Sequence, residues 1–263
     1  MRSLTSRRRH KAVRPLLMLL ALLVTGTLYS LAAPPQQSSA DTSLVATGKG
    51  LFTQSCASCH GLGGEGTSAG PAITDVGALA VDFEVSTGRM PKAGPAIQSA
   101  PKVNLFTQTE TDALAAYVAS LATGPAVPTK AQYDPAGLTE EQLARGGELF
   151  RTNCSACHNY QGSGGALPNG AVAPSLLDAS AKHIYEAMRV GPNQMPIFNE
   201  STMPDTDVRS IAGYLQELHA QPAGGLTFGG VGPVAEGFFA WVIGIGALTL
   251  FAVWIAARGA RAR

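Results

Sequence analysis

The four cysteines of this chain all lie in two copies of one short motif. The stretch CASCH occupies residues 56–60 and CSACH occupies residues 154–158, so each copy closes on a histidine. Thiols at C-x-x-C spacing suit three kinds of chemistry: a disulfide framework, a zinc site, or covalent attachment of haem, for which C-x-x-C-H is the signature. Each half of the chain is therefore predicted to carry a cross-link or a bound iron or zinc centre.

The histidines discriminate among these three chemistries. A disulfide needs no histidine after its second cysteine, and each motif offers zinc only two thiolates and one imidazole, one ligand short of a closed structural site. Haem uses all three residues, because two thiols form thioethers and the imidazole binds iron. We therefore favour two covalently bound haem c groups, with disulfide and zinc as alternatives. The residues expected to hold them are Cys56, Cys59 and His60 in the first motif and Cys154, Cys157 and His158 in the second.

Two methionines occupy matching positions downstream of the motifs. Met90 in GRMP follows His60 by 30 residues, and Met195 in NQMP follows His158 by 37. Because Met/His ligation is a common arrangement in c-type cytochromes, we expect Met90 and Met195 to be the second axial iron ligands. Met203 also precedes a proline, but it has no counterpart in the first half and ranks below Met195.

Other residues could act around the iron ligands. Pro71 and Pro174 occupy matched positions after the motif histidines, where their carbonyls could accept a hydrogen bond from the imidazole Nδ1–H. A plain loop role is the alternative for both prolines. His183 and His219 have no repeat partners, so we interpret His183 as a surface or packing residue and His219 as a residue near a helix C-terminus.

The motifs belong to a tandem duplication. The stretch TGKGLFTQSCASCHGLGGEG (47–66) aligns with RGGELFRTNCSACHNYQGSG (145–164), and the extra residues of the second copy fall in its longer loop NYQGSGGALPNGAVAP. Two repeats are too few for a solenoid, which needs at least three. The sequence therefore predicts two small domains, at residues 44–124 and 138–221.

The pattern of apolar residues predicts an all-α fold. No stretch alternates convincingly with period two, and each domain is expected to begin with a helix that ends at its cysteines. Thr139, followed by Glu140 and Glu141, is the predicted N-cap of that helix in the second domain. The segment 123–137, rich in proline and other turn residues, is interpreted as a linker.

The charges are distributed unevenly. The formal net charge is +1, but six cations fall within residues 1–15 and three within residues 258–263, which leaves ten Lys/Arg against eighteen Asp/Glu between them. An acidic middle region argues against a nucleic acid partner and is compatible with a basic protein partner.

Two apolar runs lie beside the basic ends. Residues 237–257 are predicted to form a transmembrane helix, because the stretch is long enough to cross a bilayer and has Trp241 and Trp254 near its ends. Residues 1–33 form a basic tail followed by an apolar segment that is either a retained anchor, which we favour, or a cleaved signal. We expect the haem domains outside the cytoplasm, both termini inside, and a multi-pass protein if the first segment is retained.

The tandem C-x-x-C-H domains, the methionine loops TGRMP and NQMPIF, and the C-terminal apolar helix ending in arginines resemble the dihaem cytochrome c subunit of the actinobacterial cytochrome bc1 complex. The resemblance spans roughly residues 44–263. It implies two tandem class I cytochrome c-like domains plus transmembrane helices, with the same eight haem-binding residues that the motifs identify.

The resemblance also implies a function and partners. The chain would be the electron-transfer subunit of a quinol–cytochrome-c reductase, a translocase, in the company of a cytochrome b subunit. It would take electrons from the Rieske iron–sulfur protein and pass them through its second haem to a haem–copper cytochrome c oxidase. The alternative in the same chemistry is the dihaem subunit of a cbb3-type oxidase or another membrane dehydrogenase. A different class is a non-redox, disulfide-stapled binding domain tethered to the membrane.

Overall fold

The protein is described by a computed structural model and divides into two compact units, residues 1–43 and 44–263. The residues that the structure describes are 13–32, 39–94, 96–220 and 233–261. The helices up to the middle of the chain are α1 (Val13–Ala32), α2 (Ser39–Ser55), α3 (Ala57–His60), α4 (Gly77–Ser86), α5 (Gln108–Ala119) and α6 (Lys130–Tyr133). Those that follow are α7 (Glu140–Asn153), α8 (Ser155–His158), α9 (Ala181–Val190), α10 (Asp205–Ala220) and α11 (Pro233–Arg261).

The two motif-bearing domains share one helix crossing. In the first domain (α2–α5), Gly48 lies so close to α5 that an added Cβ would sit 1.9 Å from the Ala113 carbonyl oxygen. In the second domain (α7–α10), an added Cβ on Gly146 would sit 2.0 Å from the Ser210 carbonyl oxygen. Glycine is required at both positions because the two backbones touch there.

An aromatic pair beside each crossing completes the same arrangement. The ring centroids of Phe52 and Tyr117 lie 5.1 Å apart in the first domain, and those of Phe150 and Tyr214 lie 5.9 Å apart in the second. Phe52 and Phe150 are fully buried and come one turn before the first cysteine of each motif. The buried aromatic ring thus fixes the end of the helix from which the motif starts.

Capping residues define where the later helices begin. Thr139 caps α7 through a capping box with Gln142, which confirms the N-cap predicted from the sequence. Thr107 caps α5 in the same way with Glu110. The repeated capping chemistry places the start of each long helix at a defined residue, so the motif side chains follow at a fixed distance.

The fold is helical as predicted, with one small addition. A two-stranded antiparallel hairpin pairs Gly165–Ala166 (β1) with Val172–Ala173 (β2) inside the longer loop of the second domain. A short 3₁₀ turn at Pro168–Gly170 connects the two strands. Strands of two residues are too short to produce an alternating pattern, so no periodicity predicted them.

The segment interpreted as a linker is ordered and packs against the second domain. Residues 130–133 form α6, and Gln132 donates hydrogen bonds to the Tyr185 hydroxyl at 3.0 Å and to Asp205 at 3.1 Å. Arg209 donates to the Asp134 carbonyl at 2.7 Å. The segment between the domains thus contains a short helix, because Thr129–Gln132 is itself a capping box that starts one.

The two domains contact each other through α4 and α9. Leu79 of α4 is buried in the hydrophobic core of the second domain. Lys182 of α9 contacts the buried carboxylate of Asp82 and lies 3.6 Å from that of Glu186. Hydrophobic and charged groups therefore both hold this interface.

A second set of interdomain contacts connects loops rather than helices. The side-chain amide of Gln98 donates to the Val172 carbonyl at 2.6 Å and accepts from its N–H at 2.8 Å. The Ser99 N–H donates to Asn193 Oδ1 at 3.0 Å. Because residues 98–99 follow Met90 and Asn193 precedes Met195, this contact joins the segments that carry the two candidate methionine ligands.

The C-terminal apolar run forms a helix that could cross a membrane. Within α11, Gly237–Gly259 is a 23-residue stretch of sufficient length and hydropathy. Near the N-terminus, the apolar part of α1 is Pro15–Thr25, which is shorter than the stretch in α11. The basic residues 1–12 and the last two residues lie outside the described part of the chain, so the anchor-or-signal alternative for residues 1–33 stays a prediction.

Candidate haem sites

Each motif winds into a single helical turn. In the first domain α2 ends at Ser55, the His60 N–H donates to the Cys56 carbonyl at 3.0 Å, and the Cys59 N–H donates to the same carbonyl at 3.1 Å. Gly61, at φ +80°, then leads the chain out of the turn. One turn therefore carries both thiols and the imidazole of the motif.

The motif histidines are oriented by the Pro71 and Pro174 carbonyls, which is one of the two roles that the sequence left open for these prolines. Nδ1 of His60 lies 2.8 Å from the Pro71 carbonyl oxygen, and Nδ1 of His158 lies 2.9 Å from that of Pro174. A carbonyl can only accept, so Nδ1 carries the proton in both rings. This tautomer leaves Nε2 as the nitrogen that can bind a metal, and the carbonyl increases its basicity.

The loop after each histidine closes on the motif in the same way. The Gly66 N–H donates to the His60 carbonyl at 2.7 Å, and the Gly164 N–H donates to the His158 carbonyl at 2.9 Å. Gly66 has a φ of +86°, and an added Cβ would lie 2.6 Å from the Ala72 nitrogen. The glycines are thus needed for the close return of the backbone that brings each proline carbonyl to its histidine.

Burial changes the acid–base chemistry of the motif. Burial, with a contribution from the neighbouring Cys59, raises the pKa of the Cys56 thiol to about 11. Burial raises the pKa of Cys154 to about 11 as well, with Cys157 adding to the effect. Burial lowers the pKa of His158, which keeps its imidazole in the neutral form that a metal requires.

The structure separates the methionines that could bind iron from those that fill the core. Met188 and Met203 are only 2 % and 4 % exposed and belong to the hydrophobic core of the second domain. Met90 and Met195 are partly buried at the edges of the two cores. Met203 is therefore a core residue of the second domain, whereas Met195 lies at the edge of that core.

The donor set fits haem c better than the alternatives. All four cysteines are free thiols, two partly buried and two exposed. Among the described residues, no group of three His, Cys, Asp or Glu side chains gathers as a shared zinc site would require. Free thiols on a helical turn with a metal-ready Nε2 beside them are the arrangement that covalent haem attachment needs.

The two remaining histidines considered as candidates lie outside the motif turns, and His219 approaches the loop after the second motif, where an added Cβ on Gly162 would lie 3.7 Å from its Nε2. His183 packs between the domains, with Nε2 3.2 Å from the Ser86 hydroxyl and its ring edge-on to Phe83. This confirms the packing role. His219 is in the last turn of α10, and its Nε2 is buried without a hydrogen-bond partner.

Several functional groups were not found from the sequence. Lys102 and Arg189 bind carbonyls of the loops that contain Met90 and Met195, and nothing in the sequence connects them with those loops. The Lys182–Glu186 spacing of four residues is a visible helical pair. Its contact with Asp82 joins two domains and has no local signal.

The family models agree with two cytochrome domains. Residues 45–122 match the model for cytochrome c, and residues 141–215 match the model for subunit III of cbb3-type cytochrome c oxidase. With the two motif turns and their oriented histidines, these matches support a covalently bound haem c in each domain.

Relatives of known name cover most of the chain. The "cytochrome bc1 complex cytochrome c subunit" of Mycobacterium leprae is 41 % identical over 251 residues, which is 92 % of this chain and 87 % of the relative. The protein of the same name from Corynebacterium efficiens is 39 % identical and covers 83 % of this chain and 78 % of its own. A cbb3-type oxidase subunit of Bradyrhizobium diazoefficiens is more distant, at 30 % identity over 66 % of this chain and 60 % of its own. The chain belongs to the family of cytochrome bc1 complex cytochrome c subunits.

Proposed function

We propose that this chain is the dihaem electron-transfer subunit of a membrane-bound quinol–cytochrome-c reductase, a translocase that oxidises menaquinol. The observation that carries the proposal is the repeated motif turn, with free thiols and an Nδ1-bonded histidine in both domains. Identity of 41 % over 92 % of the chain to a bc1 complex subunit supports the assignment to this complex rather than to another haem protein.

The proposed ligands assign one role to each residue. Cys56, Cys59, Cys154 and Cys157 would form the thioethers, His60 and His158 the proximal bonds to iron, and Met90 and Met195 the distal bonds. When bound, haem c supplies a one-electron couple at each site, and His/Met ligation leaves no open iron position for a substrate. The chain's own contribution is to hold each imidazole against a proline carbonyl and to cover the site with the methionine loop.

The direction of electron flow and the partners extend the same proposal. The subunit takes electrons from a Rieske iron–sulfur protein, stands beside a cytochrome b subunit, and delivers electrons to a haem–copper cytochrome c oxidase. The apolar stretch Gly237–Gly259 supports a membrane anchor. Basic residues beyond it support a cytoplasmic C-terminus, with the haem domains, at 44–124 and 138–221, on the opposite side.

One alternative is favoured by a specific observation. The second domain matches the subunit III model of cbb3-type oxidases, which would make the chain an oxidase subunit. The cbb3 relatives are 27–30 % identical over 66 % of this chain, whereas the bc1 relatives reach 36–41 % over 83–92 %. The broader similarity supports the bc1 proposal over this alternative.

Purification of the native membrane complex tests the partner assignment. A tag on the full-length chain should recover a cytochrome b subunit and a Rieske protein in equal amounts, together with a haem–copper oxidase. Recovery of cbb3 catalytic subunits instead would support the alternative. A second chain that ends before residue 233 should lose these partners, because the membrane helix is proposed to hold the subunit in the complex.

A matched pair of variants tests the ligand assignment in the second domain. Met195→Leu should remove the near-infrared band that a thioether sulfur gives to one ferric haem. Met203→Leu should preserve that band, since Met203 is 4 % exposed and packs in the core. Loss of the band in Met203→Leu but not in Met195→Leu would reverse the assignment.

A further inference from the structure

The loop that carries Met90 is closed by a single ammonium group. Nζ of Lys102 contacts the Gly88 carbonyl, lies 2.7 Å from the Pro91 carbonyl oxygen and lies 3.4 Å from that of Arg89. These carbonyls flank Met90 on both sides. One cation therefore gathers the backbone around the methionine from a position twelve residues further along the chain.

The backbone of Lys102 is fixed against the same loop. The Lys102 N–H donates to the Thr87 carbonyl at 3.3 Å. Gly88 has a φ of +67°, and an added Cβ would lie 2.0 Å from the Lys102 carbonyl oxygen. The Ser99 hydroxyl also donates to the Arg89 carbonyl at 2.9 Å. The ammonium is thus presented by a segment that already packs on the loop, which reduces the entropy lost when its side chain is ordered.

The carbonyls occupy the position that an acidic partner usually fills. Within the described residues, Lys102 forms no ion pair. Nearby Lys92 is also exposed, and in the part of the chain that the structure describes its Nζ donates to the Ala96 carbonyl alone, at 3.1 Å. Hydrogen bonds from a charged donor are stronger than neutral ones. Because Lys102 binds three carbonyls of the loop, it should stabilise the loop more than Lys92 does.

In the second domain a different residue binds the carbonyls of the methionine loop. Arg189 of α9 donates to the Phe198 carbonyl at 2.6 Å and to the Met203 carbonyl at 2.8 Å, so it spans the loop that follows Met195. Lys102 lies after its methionine and Arg189 lies before its own, so the two cations are not repeat equivalents. Binding of methionine-loop carbonyls by one cation occurs independently in both domains.

We propose that Lys102 is a positioning residue for Met90: by binding the carbonyls on both sides of the methionine, it keeps the thioether available to the first iron. The proposal rests on the proposed role of Met90 as an iron ligand. Loops without regular secondary structure open at low free energy, and an open loop exchanges the thioether for an external ligand. Removal of the ammonium should therefore increase the access of external ligands to the first iron and leave the second unchanged.

Imidazole binding to the ferric, full-length, haem-loaded chain measures this access. Lys102→Met should bind imidazole at the first haem about tenfold more tightly than the wild type, equivalent to about 1.4 kcal/mol, and should weaken the thioether-to-iron band. Lys92→Met removes the same charge from the same region and should leave both quantities unchanged. Lys102→Arg should recover most of the wild-type behaviour, because its guanidinium can still donate to the carbonyls.

The proposal is overturned if Lys102→Met and Lys92→Met behave alike, since the effect would then be one of charge alone. It is also overturned if Lys102→Arg recovers nothing. Met90→Ala identifies the first haem's share of the band, so it tests Met90 as a ligand separately from Lys102 as its positioning residue. If Met90→Ala leaves the band intact, the ligand assignment itself is wrong. If it removes that share while Lys102→Met matches the control, only the role of Lys102 fails.

Discussion

Around the cysteine motif, the histidines of the two haem domains form the same hydrogen bonds. Each histidine Nδ1 meets a proline carbonyl, at 2.8 Å for His60 and 2.9 Å for His158, and each histidine carbonyl accepts from a glycine N–H in the next loop. Around the methionine, the domains diverge. The first loop is held by the exposed Lys102 and the second by the buried guanidinium of Arg189.

The difference shows which parts of a haem site are local. The histidine contacts lie within about 16 residues of sequence, so duplication copied them intact. The methionine loops differ in length and are held by residues from different helices and segments. A duplicated domain can therefore retain its proximal geometry while the distal loop is supported in a new way, and the variants below test how far the two supports differ.

Of the two loop cations, Arg189 is expected to have the larger effect on stability. Arg189→Met removes a cation whose side chain is 8 % exposed and leaves the Asp205 carboxylate and two loop carbonyls without it. Because Asp205 is 30 % exposed and keeps the hydrogen bonds from Tyr185 and Gln132, the loss should lower the free energy of unfolding by about 2–3 kcal/mol. Lys102→Met should lower it by about 1.4 kcal/mol, the amount expected for opening of the loop, because that ammonium is exposed. Equal costs in urea unfolding would contradict the contrast between the domains.

The helix crossings should behave alike in both domains. Gly48→Ala and Gly146→Ala each force a methyl group against a carbonyl at 1.9–2.0 Å, and each should lower the free energy of unfolding by about 3 kcal/mol. Gly50→Ala in the same helix meets nothing within 4 Å and should stabilise the chain by up to about 1 kcal/mol. A large difference between the two crossing variants in thermal or urea unfolding would mean that the crossings are not equivalent.

The histidine contacts of each site could be anticipated from the sequence, whereas the contacts that support the methionine loops could not. The Pro71 and Pro174 carbonyls follow from the repeat alignment and the chemistry of imidazole, and both contacts are present. The Thr139 cap follows from a local motif. The contacts of Lys102 and Arg189 depend on how irregular loops fold back on remote segments, which no spacing rule describes.

The sequence did not predict the interface between the domains either. Asp82 belongs to α4 and Glu186 to α9, and only the packing of these helices brings both buried carboxyl groups to the ammonium of Lys182. Helix α6 could have been found, since Thr129 and Gln132 form a local capping box. Its short length within a segment rich in turn residues favoured the linker interpretation instead.

The carboxyl pair between the domains predicts a pH dependence of stability. Burial, reinforced by the hydrogen bond with Asp82, raises the pKa of Glu186 to about 9, while Lys182 acts in the opposite direction. For Asp82, burial acts upward but the bonds with Glu186 and Lys182 outweigh it, so its pKa is lowered. Gln108 of α5 also donates to Asp82 at 3.3 Å, and His183 lies beside Lys182. At neutral pH we therefore expect Glu186 to be protonated and Asp82 to be ionised.

The sign of the effect follows from the raised pKa. The unfolded chain releases the Glu186 proton near pH 4.5 and the folded chain near 9, so stability should fall across this window by at most about 1.4 kcal/mol per pH unit. Glu186→Gln keeps a hydrogen-bond donor but removes the group that titrates. The free energy of unfolding should therefore fall less steeply with pH in this variant. The exposed Glu200→Gln serves as the control in urea unfolding at several pH values. An unchanged slope in Glu186→Gln would exclude protonation of Glu186 in the folded chain.

The smallest predicted effect is at the helix caps. Thr107→Ala and Thr139→Ala each remove the threonine side chain of a capping box and should lower the unfolding temperature in proportion to about 1 kcal/mol. Thr53→Ala, an exposed position inside α2, should have little effect. The two cap variants should match, since the caps use the same chemistry in both domains, and a clear difference would show that one domain depends less on its cap.

The intact mass of the denatured full-length chain tests the central claim, that each domain carries its own thioether-bound haem, most directly. The account predicts the mass of the polypeptide plus two haem groups, with the pigment retained through denaturation, and loss of one haem in the paired variant Cys56→Ala/Cys59→Ala or Cys154→Ala/Cys157→Ala. A bare polypeptide mass, a single haem, or a mass reduced by the hydrogens lost in disulfide formation would contradict it.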